Sequence, residues 1–296
     1  MFIKYGIEDN KIDVTEICND KLLVNDIITI PCGDMNRVKY FSDPLIGTLK
    51  KIFIYVNDLE YIYDETKEIK IDTRYKTVNV FNLNDLQNIH NELKIKYGSF
   101  NDELPKQLMS LRFLTGNEKV LEIGGNIGRN SLIIAYILEK WNNNNFVSLE
   151  SDTEIANQLL ENRNLNNFNF MIENSALSKR NLIQKDWITI ESDVLLSGYN
   201  NINIISLEEL NSKYNIEFDT LILDCEGAFY YILKDMPELL DNINLIIMEN
   251  DYNTIEEKNF VDKILIEHNF YVAYSETLWD LSVTCYKNFI EVWRKR

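Results

Sequence analysis

Residues 120–131 read VLEIGGNIGRNS, and this stretch decides the fold of most of the chain. A short apolar run containing an acid leads into a glycine-rich turn, and the amphipathic stretch SLIIAYILEKW follows it. This order predicts a β-strand, a tight turn and an α-helix. Glycines let a backbone approach a ligand closely, and a helix N-terminus offers unpaired N–H groups to an anionic group. We therefore expect a ligand-binding loop at residues 124–128.

The spacing of the glycines narrows the class of ligand. Gly124, Gly125 and Gly128 do not fit the G-x-G-x-x-G pattern of dinucleotide binding, and no lysine follows Gly128 as a phosphate-binding P-loop requires. The remaining pattern, E-x-G-x-N-x-G from Glu122 to Gly128, is typical of S-adenosylmethionine (SAM) binding. In this interpretation the glycines supply backbone contacts, while Asn126 and Asn130 are candidates for hydrogen bonds to the methionine end of SAM.

A second acid supports this interpretation. The run FVSLE at residues 146–150 predicts the next strand, with Glu150 at its end. One carboxylate there can accept hydrogen bonds from both hydroxyls of a ribose. We expect Glu150 to hold the ribose of SAM from a strand tip that faces solvent.

Further acids follow two more predicted strands. The run TLILDCEGA at residues 220–228 ends in Asp224 and Glu226, and NLIIMEN at residues 244–250 ends in Glu249. In an open α/β sheet the ligand crevice lies at the carboxyl ends of the strands, so these acids predict a cleft. Asp224, Glu226 and Glu249 are the candidate catalytic residues. Three roles stay open for Asp224, namely binding of the cofactor or acceptor, general-base catalysis, and a share in a divalent-cation site.

At these motifs the sequence resembles the FkbM-type SAM-dependent methyltransferases over about residues 85–295. The family patterns D-V-G-A-N-I-G-x-x-S, x-x-x-E-P, N-x-A-L-S and D-x-E-G-A-E correspond to residues 122–131, 147–151, 174–178 and 224–229, and the lead-in G-x-F-x-x-E-L to residues 98–104. The chain departs from the family at three positions, with Glu122 for the usual Asp, Gly125 for Ala and Phe229 for a second Glu.

The resemblance implies an α/β fold with the doubly wound, seven-stranded, Rossmann-like sheet of class I methyltransferases. It implies a SAM-dependent O-methyltransferase that methylates a hydroxyl of a sugar, a nucleotide sugar or a glycan intermediate. Ser151, Ser175 and Ala176 are then further cofactor-binding candidates, the last two beside the adenine. A non-catalytic SAM-fold scaffold in glycan assembly stays open because Phe229 removes a carboxylate, and so does a methyltransferase for a protein or another small molecule.

The amino-acid composition argues against two classes of binding partner. The chain of 296 residues has 47 Asp and Glu against 30 Lys and Arg, a formal net charge of −17. Nucleic-acid-binding proteins usually carry a basic surface, and anionic membranes repel an acidic one, so we expect neither partner. The four cysteines show no metal-binding spacing, and the N-terminal residues lack a signal-peptide pattern. We therefore expect a cytoplasmic protein (host cytoplasm if viral) without a Cys/His metal site.

Residues 1–75 differ from the rest. Short β-rich runs, broken by segments such as PCGD at residues 31–34, predict a small all-β domain before the methyltransferase domain at residues 76–296. Interaction, oligomerisation of identical chains and glycan binding are candidate roles for this module, and a purely structural role stays open beside them.

Overall fold

The computed structural model describes residues 1–24, 26–56, 59–74, 76–186, 188–278 and 280–296. The chain divides into two compact units, residues 1–91 and residues 92–296. Among the helices described, none has the length and apolar character needed to cross a membrane.

The first unit contains two four-stranded antiparallel sheets, with strand orders β2-β1-β5-β6 and β3-β4-β7-β8. Its elements are β1 (Phe2–Ile7), β2 (Asn10–Asp13), α1 (Thr15–Lys21), β3 (Leu23–Val24), β4 (Ile27–Ile30), α2 (Asp34–Phe41), β5 (Lys51–Val56), β6 (Leu59–Tyr63), β7 (Lys67–Asp72) and β8 (Thr77–Asn82). Helix α3 (Leu83–Glu92) follows β8.

The prediction of an all-β domain was wrong, because α1 and α2 belong to this unit. Cys18 of α1 and Phe41 of α2 are buried in the same hydrophobic core as Ile3 of β1 and Ile69 of β7. Helices of seven and eight residues span only about two turns, so their apolar period is too short to detect in the sequence.

The division between the units also differs from the predicted boundary at residue 75. Strand β8 pairs with β7 in register from Asp72↔Thr77 to Lys67↔Asn82, so a cut at residue 75 would separate the two strands of one hairpin. The compact units divide later, after Asn91.

The second unit confirms the predicted doubly wound sheet. Its seven strands have the order β11-β10-β9-β17-β18-β20-β19. The first five are parallel, and β20 runs antiparallel to β18 and β19. The elements are α4 (Leu104–Phe113), β9 (Val120–Ile123), α5 (Arg129–Glu139), β10 (Phe146–Leu149), α6 (Thr153–Leu165), β11 (Met171–Glu173), β12 (Ala176–Leu177), β13 (Leu182–Lys185), β14 (Ile188–Glu191), β15 (Asn200–Asn201), β16 (Ile204–Ile205), α7 (Leu207–Tyr214), β17 (Thr220–Leu223), α8 (Ala228–Asp235), β18 (Leu245–Glu249), α9 (Ile255–Glu267), β19 (Phe270–Glu276) and β20 (Ile290–Lys295), with 3₁₀ turns at Pro237–Leu240 and Tyr286–Asn288.

The burial of the central strands explains why the sequence predicted this sheet correctly. Every residue of β9, β10 and β17 is buried, as expected for parallel strands covered on both faces. The chain winds from β9 outwards through β10 to β11, and later resumes on the other side of β9 with β17 and β18. The direction of winding therefore reverses between β9 and β17, and ligands of doubly wound sheets bind at such a reversal.

A small insertion separates β11 from α7. Strand β12 pairs with β16, and β13 lies between β14 and β15 in a second small sheet. The hydroxyl of Ser151, which follows β10, donates to Oε1 of Gln184 in β13 at 3.1 Å. The insertion thus packs beside the end of β10.

Candidate functional site

The glycine loop lies against the ends of its neighbouring strands. The N–H groups of Gly124 and Gly125 both donate to the carbonyl of Leu149, at 3.0 and 2.8 Å. A Cβ atom on Gly124, whose φ is +88°, would lie 1.7 Å from the carbonyl oxygen of Asp224. A Cβ atom on Gly125 would lie 2.2 Å from Oγ of Ser148. Gly124 needs glycine because its φ is positive and its backbone touches that of Asp224, whereas a side chain at Gly125 would have to displace the hydroxyl of Ser148.

The side chain of Glu150 accepts a hydrogen bond from the backbone of the glycine loop. Its Oε2 accepts from the N–H of Asn126 and its Oε1 from that of Asp152, both at 2.9 Å. The side chain is buried, so the expectation of a solvent-facing carboxylate was wrong. Burial raises the pKa of Glu150, and the backbone hydrogen bonds oppose that rise. Each carboxylate oxygen accepts one backbone hydrogen bond and keeps a lone pair, so the group retains the capacity to bind ribose hydroxyls.

Glu122 is the centre of a buried hydrogen-bond network next to the glycine loop. Its carboxylate accepts from the hydroxyls of Ser131 at 2.5 Å and Ser148 at 2.7 Å, and from Nδ2 of Asn130 at 3.4 Å. Burial raises the pKa of Glu122 to about 7, although the two serine hydroxyls oppose the rise. Asn130 also accepts from the hydroxyl of Ser110 in α4 at 2.8 Å. This buried network joins α4, β9, β10 and α5.

Lys106 of α4 is the residue that the sequence interpretation missed. Its ammonium group forms an ion pair with Asp224, lies 3.2 Å from Oε2 of Glu103 and 3.8 Å from Oε2 of Glu249. Burial alone would lower the pKa of Lys106, but these carboxylates outweigh it and raise the pKa. The lysine therefore stays charged, and the carboxylates of Asp224 and Glu249 both lie near its ammonium group.

One signal in the sequence could have revealed Lys106. It shares a helical face with Met109, Ser110 and Phe113, which follow it at positions i+3, i+4 and i+7, and all of them are buried. A lysine on the buried face of a predicted helix needs a carboxylate partner.

The pKa values of three other acids near Asp224 are raised. Burial and the neighbouring charge of Asp224 raise the pKa of Glu249 to about 8, although Lys106 opposes the rise. The same two causes raise the pKa of Asp251 to about 7. The backbone N–H of Gly227 donates to Asp251 at 2.9 Å. Partial burial raises the pKa of Glu226, which is the most exposed of the three candidate catalytic residues.

A pocket opens where these elements meet, at the reversal between β9 and β17. It encloses about 250 Å³, including the part open to solvent, and is lined by Glu103, Lys106, Glu122, Gly124, Gly125, Asn126, Asn130, Ile222 and Asp224. The lining combines the backbone of the glycine loop with charged side chains, so the pocket offers polar contacts at the end of β9.

Other predicted site residues lie outside that lining. Gly128 ends the loop at the start of α5, and a Cβ atom there would meet Leu159 at 2.4 Å. The hydroxyl of Ser175 donates to Glu173 at 2.9 Å. Ala176 pairs with β16, and Ser151 contacts the insertion. Nδ2 of Asn174 donates to the carbonyls of Glu150 and Ser151, at 2.8 and 3.1 Å, so these residues border the ends of β10 and β11.

Phe229 does not belong to the site. Its side chain is 1% exposed and packs in the hydrophobic core of the sheet and helices. The position that carries a glutamate in the FkbM-type pattern therefore serves packing in this chain. Its replacement leaves the acids at the strand ends in place.

No arrangement of three or more His, Cys, Asp or Glu side chains suited to a metal ion occurs in the part of the chain that the structure describes. The buried ammonium of Lys106 lies among the carboxylates that a cation would need.

Comparisons with known proteins give structural similarity only. No protein-family model matches the chain. No curated protein matches it either. Among solved structures, an O-methyltransferase from Bacillus cereus in complex with S-adenosylhomocysteine (SAH) is 15% identical with a TM-score of 0.40, covering 72% of this chain and 90% of that one. The ribosomal protein L11 methylase of Lactobacillus delbrueckii subsp. bulgaricus is 14% identical with a TM-score of 0.41, covering 65% and 79%. Cofactor-bound Rv0187 from MTB is 11% identical with a TM-score of 0.41, covering 72% and 89%.

Proposed function

We propose that the chain is a SAM-dependent O-methyltransferase that methylates a hydroxyl of a sugar or glycan intermediate. One observation carries the proposal. The glycine loop lies at the reversal of the sheet, between the supporting carboxylate of Glu150 and the backbone of Asp224, and Asp224 lines the same pocket as the loop. This is the place where doubly wound sheets bind their ligands, and the loop sequence fits SAM better than a dinucleotide or a nucleoside triphosphate.

The residues present fit SAM. Glu150 keeps lone pairs for ribose hydroxyls, and charged side chains line the pocket beside Gly124 and Gly125. To Asp224, which lines that pocket, we assign the role of accepting a hydrogen bond from the cofactor's amino group. Bound SAM would supply a methyl group on a positively charged sulfur, and the surplus of carboxylates at this edge favours a cation.

Glu249 is the group that we assign to proton transfer. A hydroxyl acceptor loses its proton during methylation, and a general base works best when its pKa lies near the operating pH. Burial and Asp224 raise the pKa of Glu249 to about 8. Asp224 is less suited to the task because Lys106 is bound to its carboxylate. To Glu226, which is exposed beside them, we assign contact with the acceptor.

The acceptor class rests on the resemblance to FkbM-type enzymes. The acidic edge formed by Asp224, Glu226, Glu249 and Asp251 supports it in part, since a neutral sugar hydroxyl meets no electrostatic repulsion there. The net charge of −17 argues against nucleic acid. For the N-terminal unit we keep three roles as proposals, namely interaction, oligomerisation and glycan binding.

The test is transfer of a labelled methyl group from SAM to a panel of sugars, nucleotide sugars and glycans. We expect incorporation into at least one member, and loss of most of this incorporation with Glu249→Gln. A matched control, Glu267→Gln, removes an exposed carboxylate at the end of α9 and should keep full activity. SAM binding without transfer to any sugar, together with transfer to a protein or another small molecule, would refute the acceptor class. Binding without any transfer would instead favour a scaffold.

A further inference from the structure

The pocket beside the glycine loop carries opposite charges on adjacent side chains. Among the described residues that line it, Lys106 supplies the positive charge, while Glu103, Glu122 and Asp224 are acids. The ammonium group of Lys106 is bound to Asp224, so a cation and an anion stand side by side in the lining. A ligand group that carries both charges would be complementary to such a pair.

Packing alone does not explain why a lysine is buried at position 106. The residue is 7% exposed and shares the buried face of α4 with Met109 and Phe113. A buried ion pair is often no more stabilising than apolar side chains of similar volume. Apolar residues at both positions of the pair would therefore serve packing as well as Lys106 and Asp224 do.

The ammonium group also keeps bonding capacity. It carries three N–H donors. Asp224 and Glu103 lie within hydrogen-bonding distance of Nζ, whereas Glu249, at 3.8 Å, does not. One donor therefore remains for a ligand group in the pocket that Lys106 lines.

We propose that Lys106 binds the carboxylate of the cofactor's amino-acid group, while the adjacent Asp224 binds its ammonium group, so that the pocket selects ligands with a complete amino-acid end. This inference rests on the proposed function, because it takes SAM as the ligand. It assigns to Lys106 a role in specificity that is separate from proton transfer by Glu249.

The experiment compares two ligands that differ only in the carboxylate, SAM and decarboxylated SAM, by calorimetry on the full chain. We expect the wild type to bind SAM about 10- to 100-fold more tightly, the usual worth of a charge-assisted hydrogen bond. In Lys106→Met the preference should fall to about threefold or less, because the surrounding acids then repel the carboxylate. Lys106→Arg should retain a preference for SAM.

A matched control separates recognition from stability. Lys258 is also buried and paired with two carboxylates, Asp262 and Glu291, but it does not line the pocket. Lys258→Met should lower the melting temperature and leave the preference for SAM unchanged. If Lys106→Met does not fold, Lys106→Gln removes the charge while keeping hydrogen-bond donors, and the same loss of preference is expected.

Two results would overturn the inference. Equal binding of both ligands by the wild type would show that the carboxylate is not recognised. An unchanged preference in a folded Lys106→Met or Lys106→Gln variant would show that another residue binds it. In both cases SAM still binds, so the proposed function survives. Binding of neither ligand would overturn the proposed function and this inference together.

Discussion

The ammonium group of Lys106 is bound to the carboxylate of Asp224, across 118 positions of sequence. The pair joins helix α4, which precedes the sheet, to the residue that follows β17. Glu249, at the end of the adjacent strand β18, lies 3.8 Å from the same ammonium group. The acidic part of the candidate site is therefore assembled from two neighbouring strand ends and a helix outside the sheet.

Asp224→Asn should weaken SAM binding more than it slows turnover at saturating SAM. The change keeps size and removes the charge that we assign to the amino group, so we expect Kd to rise about 10- to 100-fold. Calorimetry and steady-state kinetics measure the two effects. Asp241→Asn, at an exposed position, is the control. Normal affinity with turnover reduced by about 10²–10⁴ would instead make Asp224 the general base.

Methyl transfer should depend on pH through Glu249. Because its pKa is raised to about 8, the carboxylate is mostly protonated at pH 6 and becomes an ionised base as the pH passes 8. The rate at saturating substrates should therefore rise between pH 6 and 9 and then level off. Glu249→Gln should remove this rising limb together with most of the activity. A flat profile in the wild type would contradict the assignment of Glu249 as the base.

Glu150→Ala should weaken both the loop and the cofactor site. The variant loses acceptors for the N–H groups of Asn126 and Asp152, and each buried N–H left unpaired costs about 1–3 kcal/mol. We expect a lower melting temperature and a SAM affinity reduced at least about tenfold. Glu217→Ala, at an exposed position before β17, is the control. Unchanged affinity would show that the ribose is held elsewhere.

Gly124→Ala should destabilise the second unit and abolish SAM binding. The new methyl group would overlap the carbonyl of Asp224, so the loop must move away from β17. Gly47 provides a matched control because its φ is +79° and no atom lies within 4 Å of the added Cβ. Gly47→Ala should cost only the strain of a left-handed residue, about 1–2 kcal/mol. Thermal melts of both variants measure the difference, and equal losses would show that the contact with Asp224 is unimportant.

The sheet could be predicted because its signal is local. Runs such as TLIL at residues 220–223 are buried on both faces, and helices with clear apolar periods separate them. The acids at the strand ends could be predicted for the same reason, since parallel strands place their carboxyl ends at one edge.

What could not be predicted depends on contacts between distant residues. The partners Asp224 and Glu249 of Lys106 lie on other elements. The sequence therefore shows Lys106 only as a charged residue on the apolar face of a helix. Glu150 was assigned to a solvent-facing tip because the sequence does not show that the loop folds over it. The helices of the N-terminal unit are held by packing against β-strands, and their own patterns are too short to reveal them.

Titration of the full-length protein with SAM in a calorimeter tests the central claim most directly. The account predicts a saturable heat with a micromolar-range Kd, which corresponds to about −8 kcal/mol, and competition by SAH for the same site. It also predicts a higher melting temperature in the presence of either compound. The absence of heat and of a thermal shift with both SAM and SAH would contradict the account.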